Sequence, residues 1–374
     1  MSGYEPPAWA AEYHTALAQG DYLRGLLVAR DAADDSAPIS FINDAVVYLL
    51  QAVGRFADAD AVRDHRTQLE QQRGLEALPP QLQQAMREAA EREKILNTVA
   101  APQAIDLEQA PAALASAVRQ HRVVVLGELH HHPEHRAFGA RVLAHLRSGG
   151  VTHLALETGN QFTLDQAQRE ARIRPTTDPL SFEPQRAALL RAALRLELPI
   201  VAFDMDANDS KWLLNHPGDM QFRERRMAEH IAERVLQPEP AARVLVWVSH
   251  QHGQKIERGL KMMAMHLWDI TAEEPFSAYQ LTGAGNYPGV DLLIRHPEPT
   301  YLRGRPDWLR VDRLSVQGTI EPPAECLVQL HPAAEGTTST PADQLLTEED
   351  GQFELLVPAG DYPLRVWTAA GHVS

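Results

Sequence analysis

The sequence predicts a multidomain chain: an α-helical N-terminal segment over 1–101, a central α/β domain with a mostly parallel sheet over 102–307, and a small all-β module over 308–374. Three observations predict it. Residues up to about Val99 are rich in Ala, Leu, Gln, Arg and Glu at helical spacing. From about Ile105 to Leu281, short apolar runs alternate with amphipathic stretches of helix length, the pattern of a parallel sheet covered on both faces. From Val311 the pattern changes to short alternating strands punctuated by Pro, Gly, Asp and Glu.

In the N-terminal part, Gln19-Gly20-Asp21-Tyr22 and Val53-Gly54-Arg55-Phe56 each set a glycine and an aromatic between helices. The two glycines are 34 residues apart (54 − 20), the period of a tetratricopeptide repeat. The segment resembles a degenerate tetratricopeptide pair, with Ala57, Ala59 and Ala61 where small packing residues are expected; the plainer alternative is a helical cap on the next domain. A third helix is expected over Pro80 to Val99, and Ala100-Ala101-Pro102 marks a boundary.

In the central part the expected strands are Arg122 to Leu126, Thr152 to Glu157, Pro199 to Asp204, Ala242 to Val248 and Phe276 to Leu281. Between them Glu134 to Ser148, Leu164 to Arg172, Pro184 to Leu196, Met220 to Leu236 and Lys255 to Trp268 read as amphipathic helices. Phe138, Val142, His145 and Leu146 form the apolar stripe of the first of these. Gly127 is expected to end the first strand, with Glu128 and His130 projecting to one side beyond it. Ligands of such sheets bind beyond the carboxyl ends of the strands. There the chain places Glu128 and His130, then Glu157, then Asp204 and Asp206, then Ser249, His250 and His252. A helix cap or loop hydrogen bond accounts for any one of these, but four successive strands ending in acids or histidines point to a functional site. His131, His132 and His135, beside Pro133 at a helix start, read as solvated.

Composition narrows the function. Lys and Arg total 35 against 50 Asp and Glu, a net charge of −15, which argues against nucleic acid or an anionic membrane as the main partner. No run is apolar for long enough to span a bilayer. Cys326 is the only cysteine, so an internal disulfide and a thiolate-rich metal site are excluded. The first residues carry neither a basic start nor an apolar core of signal-peptide length, and the expected location is cytoplasmic.

After Thr282 a turn-rich, proline-punctuated stretch to about Arg310 reads as an irregular extension. The strands expected beyond it lie in VDRLSVQGTI, ECLVQLHP, GQFELLVP and DYPLRVWTAAG. The phrase from Leu346 to Leu355 and the Pro358-Ala359-Gly360-Asp361-Tyr362 corner resemble the transthyretin-like, or carboxypeptidase-regulatory-like, all-β sandwich, and the resemblance implies a non-catalytic module.

The central domain resembles the erythromycin esterase and ChaN-like superfamily, with Tiki/TraB proteins as more distant relatives. The resemblance rests on Gly127-Glu128-Leu129-His130, Pro133-Glu134-His135, Leu154-Ala155-Leu156-Glu157, Arg223-Glu224-Arg225-Arg226-Met227-Ala228 and Val246-Trp247-Val248-Ser249-His250-Gln251-His252, in that order. It implies hydrolysis of an ester, lactone or amide in a small molecule or peptide. The expected catalytic set is Glu128, His130, Glu157, Arg223, His250 and His252, with His130 as general base, Glu128 or Glu157 orienting it, a histidine of the last motif as acid, and Arg223 on an oxyanion or substrate carboxylate. Which of His250 and His252 is the partner is open. No Gly-x-Ser-x-Gly elbow occurs and Cys326 lies in the β module, so direct activation of water is expected. No cofactor is expected. One alternative is a divalent metal on Glu128, His130, Glu157 and His252, as the Tiki/TraB resemblance implies; another is a haem-binding carrier or scaffold, as the ChaN resemblance implies. The expected partners are a small-molecule or peptide substrate, anionic where Arg223 would hold a carboxylate, and a peptide or protein at the N-terminal helices.

Overall fold

A computed structural model describes residues 8–32, 41–73, 99–215, 219–257, 260–283, 287–321, 323–368 and 371–373, with Arg87 and Lys94 in isolation. The helix expected over Pro80 to Val99 lies almost wholly outside the described residues. The chain divides into two compact units, one of 78–170 and 189–298, the other of 1–77, 171–188 and 299–374. The sequence pattern divides the chain by type of secondary structure, whereas these units divide it by packing.

The unit of 78–170 and 189–298 is built on a seven-stranded parallel sheet. Its strands are β1 (Ala104–Asp106), β2 (Val123–Glu128), β3 (His153–Leu156), β4 (Ile200–Ala202), β5 (Val244–Ser249), β6 (Phe276–Thr282) and β7 (Leu292–His296), in the order β1-β7-β6-β2-β5-β3-β4. The central strands are apolar on both faces: Val123, Val125, Val246 and Val248 pack under Met227, Ala228, Ile231 and Met263 from the helices Met220–Ile231 and Met263–Thr271, and Val124, Leu126, Leu245 and Trp247 are buried on the other face. All five expected strands are present. β1 and β7 were not expected, and β7 corrects the reading of 283–310 as wholly irregular: Leu292, Leu293 and Ile294 are an apolar run between turn residues, and the sheet buries them.

Gly127 does not end β2, which continues through Glu128. A Cβ there would come within 3.1 Å of the Tyr279 ring and 3.2 Å of the His250 Cα, so the glycine serves close approach. The helix expected over Lys255 to Trp268 is confined to Met263–Thr271. Helices Ala110–Gln120 and Ala207–Asn215 are additional, and the helix Met220–Ile231 runs on into a π turn over Ala232–Leu236. His145 is exposed, off the buried stripe of Pro133–Ser148, whereas His135 is fully buried and corrects the expectation of solvent.

The second unit joins helices Ala8–Gln19, Tyr22–Ala32, Phe41–Ala52 and Phe56–Arg73 to antiparallel strands. Gly20 and Gly54 each stand at φ 77°, the left-handed conformation that closes a helix and that glycine adopts without Cβ strain. The strands after 299 are β8 (Tyr301–Leu302), β9 (Arg305–Pro306), β10 (Leu314–Thr319), β11 (Leu327–Leu330), β12 (Asp343–Leu346), β13 (Gln352–Val357), β14 (Leu364–Thr368) and β15 (Gly371–Val373). β12-β11-β14-β15 form one sheet, and the pairs β10-β13 and β8-β9 two more. Tyr22, Leu26, Leu49 and Leu50 share one core with Leu327, Leu346 and Trp367, and the Gln329 amide donates to the Gly20 carbonyl at 3.0 Å.

Candidate functional site

The parallel sheet brings its polar residues together at the carboxyl ends of β2, β3, β4 and β5. Leu126 pairs with Trp247 and Glu128 with Ser249, so the period of two puts Glu128 diagonally above the indole on one face. Trp247 Nε1 donates to Glu128 Oε2 at 2.7 Å, and the buried Arg136, from the helix Pro133–Ser148, donates to Glu128 Oε1 at 3.2 Å. The same guanidinium donates to the His130 carbonyl at 3.0 Å, which fixes the turn that follows the strand. Glu128 Oε1 then accepts from His130 Nδ1 at 2.9 Å. With its proton on Nδ1, the neutral imidazole presents the Nε2 lone pair, which lies 3.9 Å from Glu157 Oε2.

Glu157 is the middle of the site. Its Oε2 accepts the Ser249 backbone N–H at 2.6 Å, and its Oε1 accepts Arg223 Nη2 at 2.9 Å and lies 3.4 Å from His252 Nε2. Burial opposes its charge, but the hydrogen bond and charge of His252 and the Ser249 N–H together hold the carboxyl far below the usual range. Arg223 also grips Asp204, through Nε at 3.1 Å and Nη2 at 2.8 Å. Desolvation opposes its charge, and the two carboxylates more than compensate.

Helix Met220–Ile231 delivers two neighbours to different partners, since successive helical residues point about 100° apart. Asp219 caps it by accepting the Phe222 N–H at 3.0 Å. Arg223 turns to Glu157 and Asp204; Glu224 turns to His252, whose Nδ1 is 2.8 Å from Oε1 and 2.9 Å from Oε2. Burial works against protonation of His252, yet the carboxylates of Glu157 and Glu224 raise its pKa to about 9. Glu128, His130, Glu157, His252 and Glu224 thus alternate acid and imidazole along one line.

Of the six residues expected at the site, five meet there. His250 does not join that line: its ring lies 5.3 Å from each of the Tyr279 and Tyr287 rings. The turn His250–Gly253 is 3₁₀, so residues two apart point to different sides. Asp204 belongs to the site, whereas Asp206 caps the helix Ala207–Asn215 by accepting the Asn208 and Asp209 N–H groups. Sequence reasoning did not single out Glu224, Arg136 or Trp247. An acid directly after Arg223, one turn from the apolar Met227 and Ala228, was the available signal for Glu224.

Among the described residues, two other groups of donors lie close enough to hold a cation. In the first, His132, Glu134 and His135 place ligand atoms within 4.8 Å of one another. Their bonds are already committed: Leu129 N–H donates to His135 Nδ1 at 3.2 Å, leaving Nε2–H for Thr282 Oγ1, which in turn donates to Glu134. Glu134 also accepts from His132 Nδ1 at 2.8 Å. In the second group, Asp206, Asp209 and His230, Arg226 lies against both Asp209 and His230 and would repel a cation.

No family model matches the chain, and a search of curated proteins finds no match. Among solved structures, it is similar to ChaN of Campylobacter jejuni, described with cofacial heme binding, at 14% identity over 49% of this chain and 90% of that one, with a TM-score of 0.33. It is also similar to the type III effector HopBA1, at 12% identity over 54% and 97% with a TM-score of 0.35. A third is RRSP, a MARTX toxin effector domain from Vibrio vulnificus CMCP6, at 15% identity over 76% and 58% with a TM-score of 0.37. Likenesses at these scores carry no argument about activity.

Proposed function

We propose that the chain is a hydrolase that activates water by general acid–base catalysis and cleaves an ester, lactone or amide in a small molecule or peptide. The observation that carries this reading is the 3.9 Å gap between His130 Nε2 and Glu157 Oε2. Both atoms are acceptors when the Glu128 bond holds the His130 proton on Nδ1, and the gap is too long for a direct hydrogen bond. A water molecule can donate to both. His130, about one third exposed, would take its proton as the oxygen attacks a carbonyl carbon; Glu128 would stabilise the imidazolium that forms. His252, protonated at neutral pH, supplies the proton for the leaving group. Arg223 has Nε and Nη2 engaged, and its Nη1 edge supports a developing oxyanion or a substrate carboxylate.

A divalent ion on Glu128, His130, Glu157 and His252 is the alternative, and both imidazoles do turn Nδ1 toward a carboxylate, as metal-bound histidines do. The donor set fits poorly. Both oxygens of Glu157 and both of Glu128 already accept N–H bonds, and the Arg223 guanidinium beside Glu157 repels a cation. A heme carrier is the reading from another class, and visible absorbance after mixing with hemin tests it.

The direct test is turnover of chromogenic esters and lactones by the purified protein. His130→Ala and Glu157→Gln are expected to lose about 10²- to 10⁴-fold in kcat while circular dichroism stays that of the parent. Near-native turnover in either variant removes that residue from the mechanism, and a parent that hydrolyses nothing in the panel sinks the hydrolase reading.

A further inference from the structure

His250 was expected to share in catalysis and lies outside the acid–imidazole line, so its surroundings bear on what else the sheet edge does. The sheet order puts β6 beside β2, on the side away from β5, β3 and β4. The proton-handling groups therefore occupy one half of the edge. On the β6 half, the Tyr279 and Tyr287 rings lie 4.2 Å apart at an interplanar angle of 34°, and the His250 ring lies against both. Tyr279 is buried and backs the group; burial raises its hydroxyl pKa well above the usual value, so it stays protonated and uncharged. His250, Tyr287 and Leu129 are half-buried, and Leu129 packs with this group while being the chain neighbour of His130. Gly127 lets the group come so close to β2, since a Cβ would stand 3.1 Å from the Tyr279 ring and 3.2 Å from the His250 Cα.

We propose that Leu129, His250, Tyr279 and Tyr287 form a subsite for a planar apolar group of the substrate, an aryl or aryl-acyl moiety, held beside the carbonyl that the water activated by His130 attacks. The inference rests on the hydrolase reading and adds the substrate class. Two tyrosine rings and an imidazole are flat and polarisable, and they hold a second flat ring by offset or edge contact better than they hold a flexible alkyl chain. Leu129 precedes His130 directly, so a group seated on this surface lies one residue from the base. His250 contributes its ring face here and no proton.

The test uses the full chain and two readouts. In the first, kcat/KM is compared for p-nitrophenyl benzoate and p-nitrophenyl acetate. The parent is expected to favour the benzoate, Tyr287→Ala and His250→Ala each to lower the benzoate-to-acetate ratio by about tenfold or more, and His250→Phe, which restores a ring without titratable nitrogens, to recover part of the ratio lost in His250→Ala. In the second, calorimetric titration with 2-naphthoate, which needs no turnover, is expected to show binding to the parent and binding about tenfold weaker to Tyr287→Ala. A ratio that Tyr287→Ala and His250→Ala leave unmoved overturns the subsite. Naphthoate binding that Tyr287→Ala weakens, in a protein that hydrolyses neither ester, keeps the subsite and overturns the hydrolase reading instead.

Discussion

Glu224→Gln isolates the charge behind His252. The substitution keeps the shape of the side chain and an oxygen for the Met263 N–H, which Glu224 accepts at 2.8 Å, but removes the anion that faces Nδ1. The folded pKa of His252 is raised to about 9 from 6.5. A raised pKa contributes stability that is complete below the unfolded value and is lost as pH climbs through the folded one. Between 6.5 and 9 that amounts to about 3 kcal/mol at 1.36 kcal/mol per pH unit. Two carboxylates share it, so the variant is expected to be less stable by about 1–2 kcal/mol at pH 7, within the range for hydrogen bonds to charged groups. The difference is expected to shrink as pH rises through about 9, where the parent imidazolium gives up its proton. Urea unfolding of parent and variant between pH 6 and 10, followed by tryptophan fluorescence, measures it. A difference that stays constant across that range refutes the assignment of an imidazolium between two carboxylates.

Three further outcomes follow from the same geometry. Gly139→Ala puts a methyl group 2.4 Å from the Trp247 ring, a rigid group with nowhere to go; we expect a loss of about 1–3 kcal/mol and a displaced indole that weakens turnover through Glu128, read by thermal melting and kcat. Dialysis against a strong chelator, with metal shown to be substoichiometric by elemental analysis, is expected to leave ester turnover intact; restoration of a lost activity by Mn²⁺, Co²⁺ or Zn²⁺ makes Glu128, His130 and His252 ligands. Deleting 312–374 removes Leu327, Leu346 and Trp367 from the core they share with Tyr22 and Leu49, so the helices of 8–73 are expected to become protease-sensitive; helices that stay protected show that they close their own core.

The parallel sheet and most of the acid–imidazole line were legible in the sequence because they obey short-range rules. Val123 to Leu126 and Val244 to Val248 are apolar runs ended by polar residues, and strand ends are where a parallel sheet gathers its ligands. β1 is three residues, too short for a periodicity to register, and β7 was masked by the turn residues around it. His250 and His252 looked equivalent because a strand would have pointed both the same way; the 3₁₀ turn that separates them depends on Gly253, whose Cβ position faces Val125 at 3.2 Å. Glu224 and Arg136 were hidden by their helices, where a buried charge has the same spacing as a surface one until its partner is known.

The shared core of the helices of 8–73 and the strands after 326 also sets a timetable for synthesis. The Val53 carbonyl, in the second turn between helices, accepts the Leu346 N–H, and Leu327 lies about 270 residues of chain beyond Val53. At roughly 5–20 residues per second, the helices leave the ribosome about 15–55 s before the strands that cover Leu26, Leu49 and Leu50 exist. For that interval an apolar face waits in water while the whole parallel sheet is made, and the strands after 326 are what covers it.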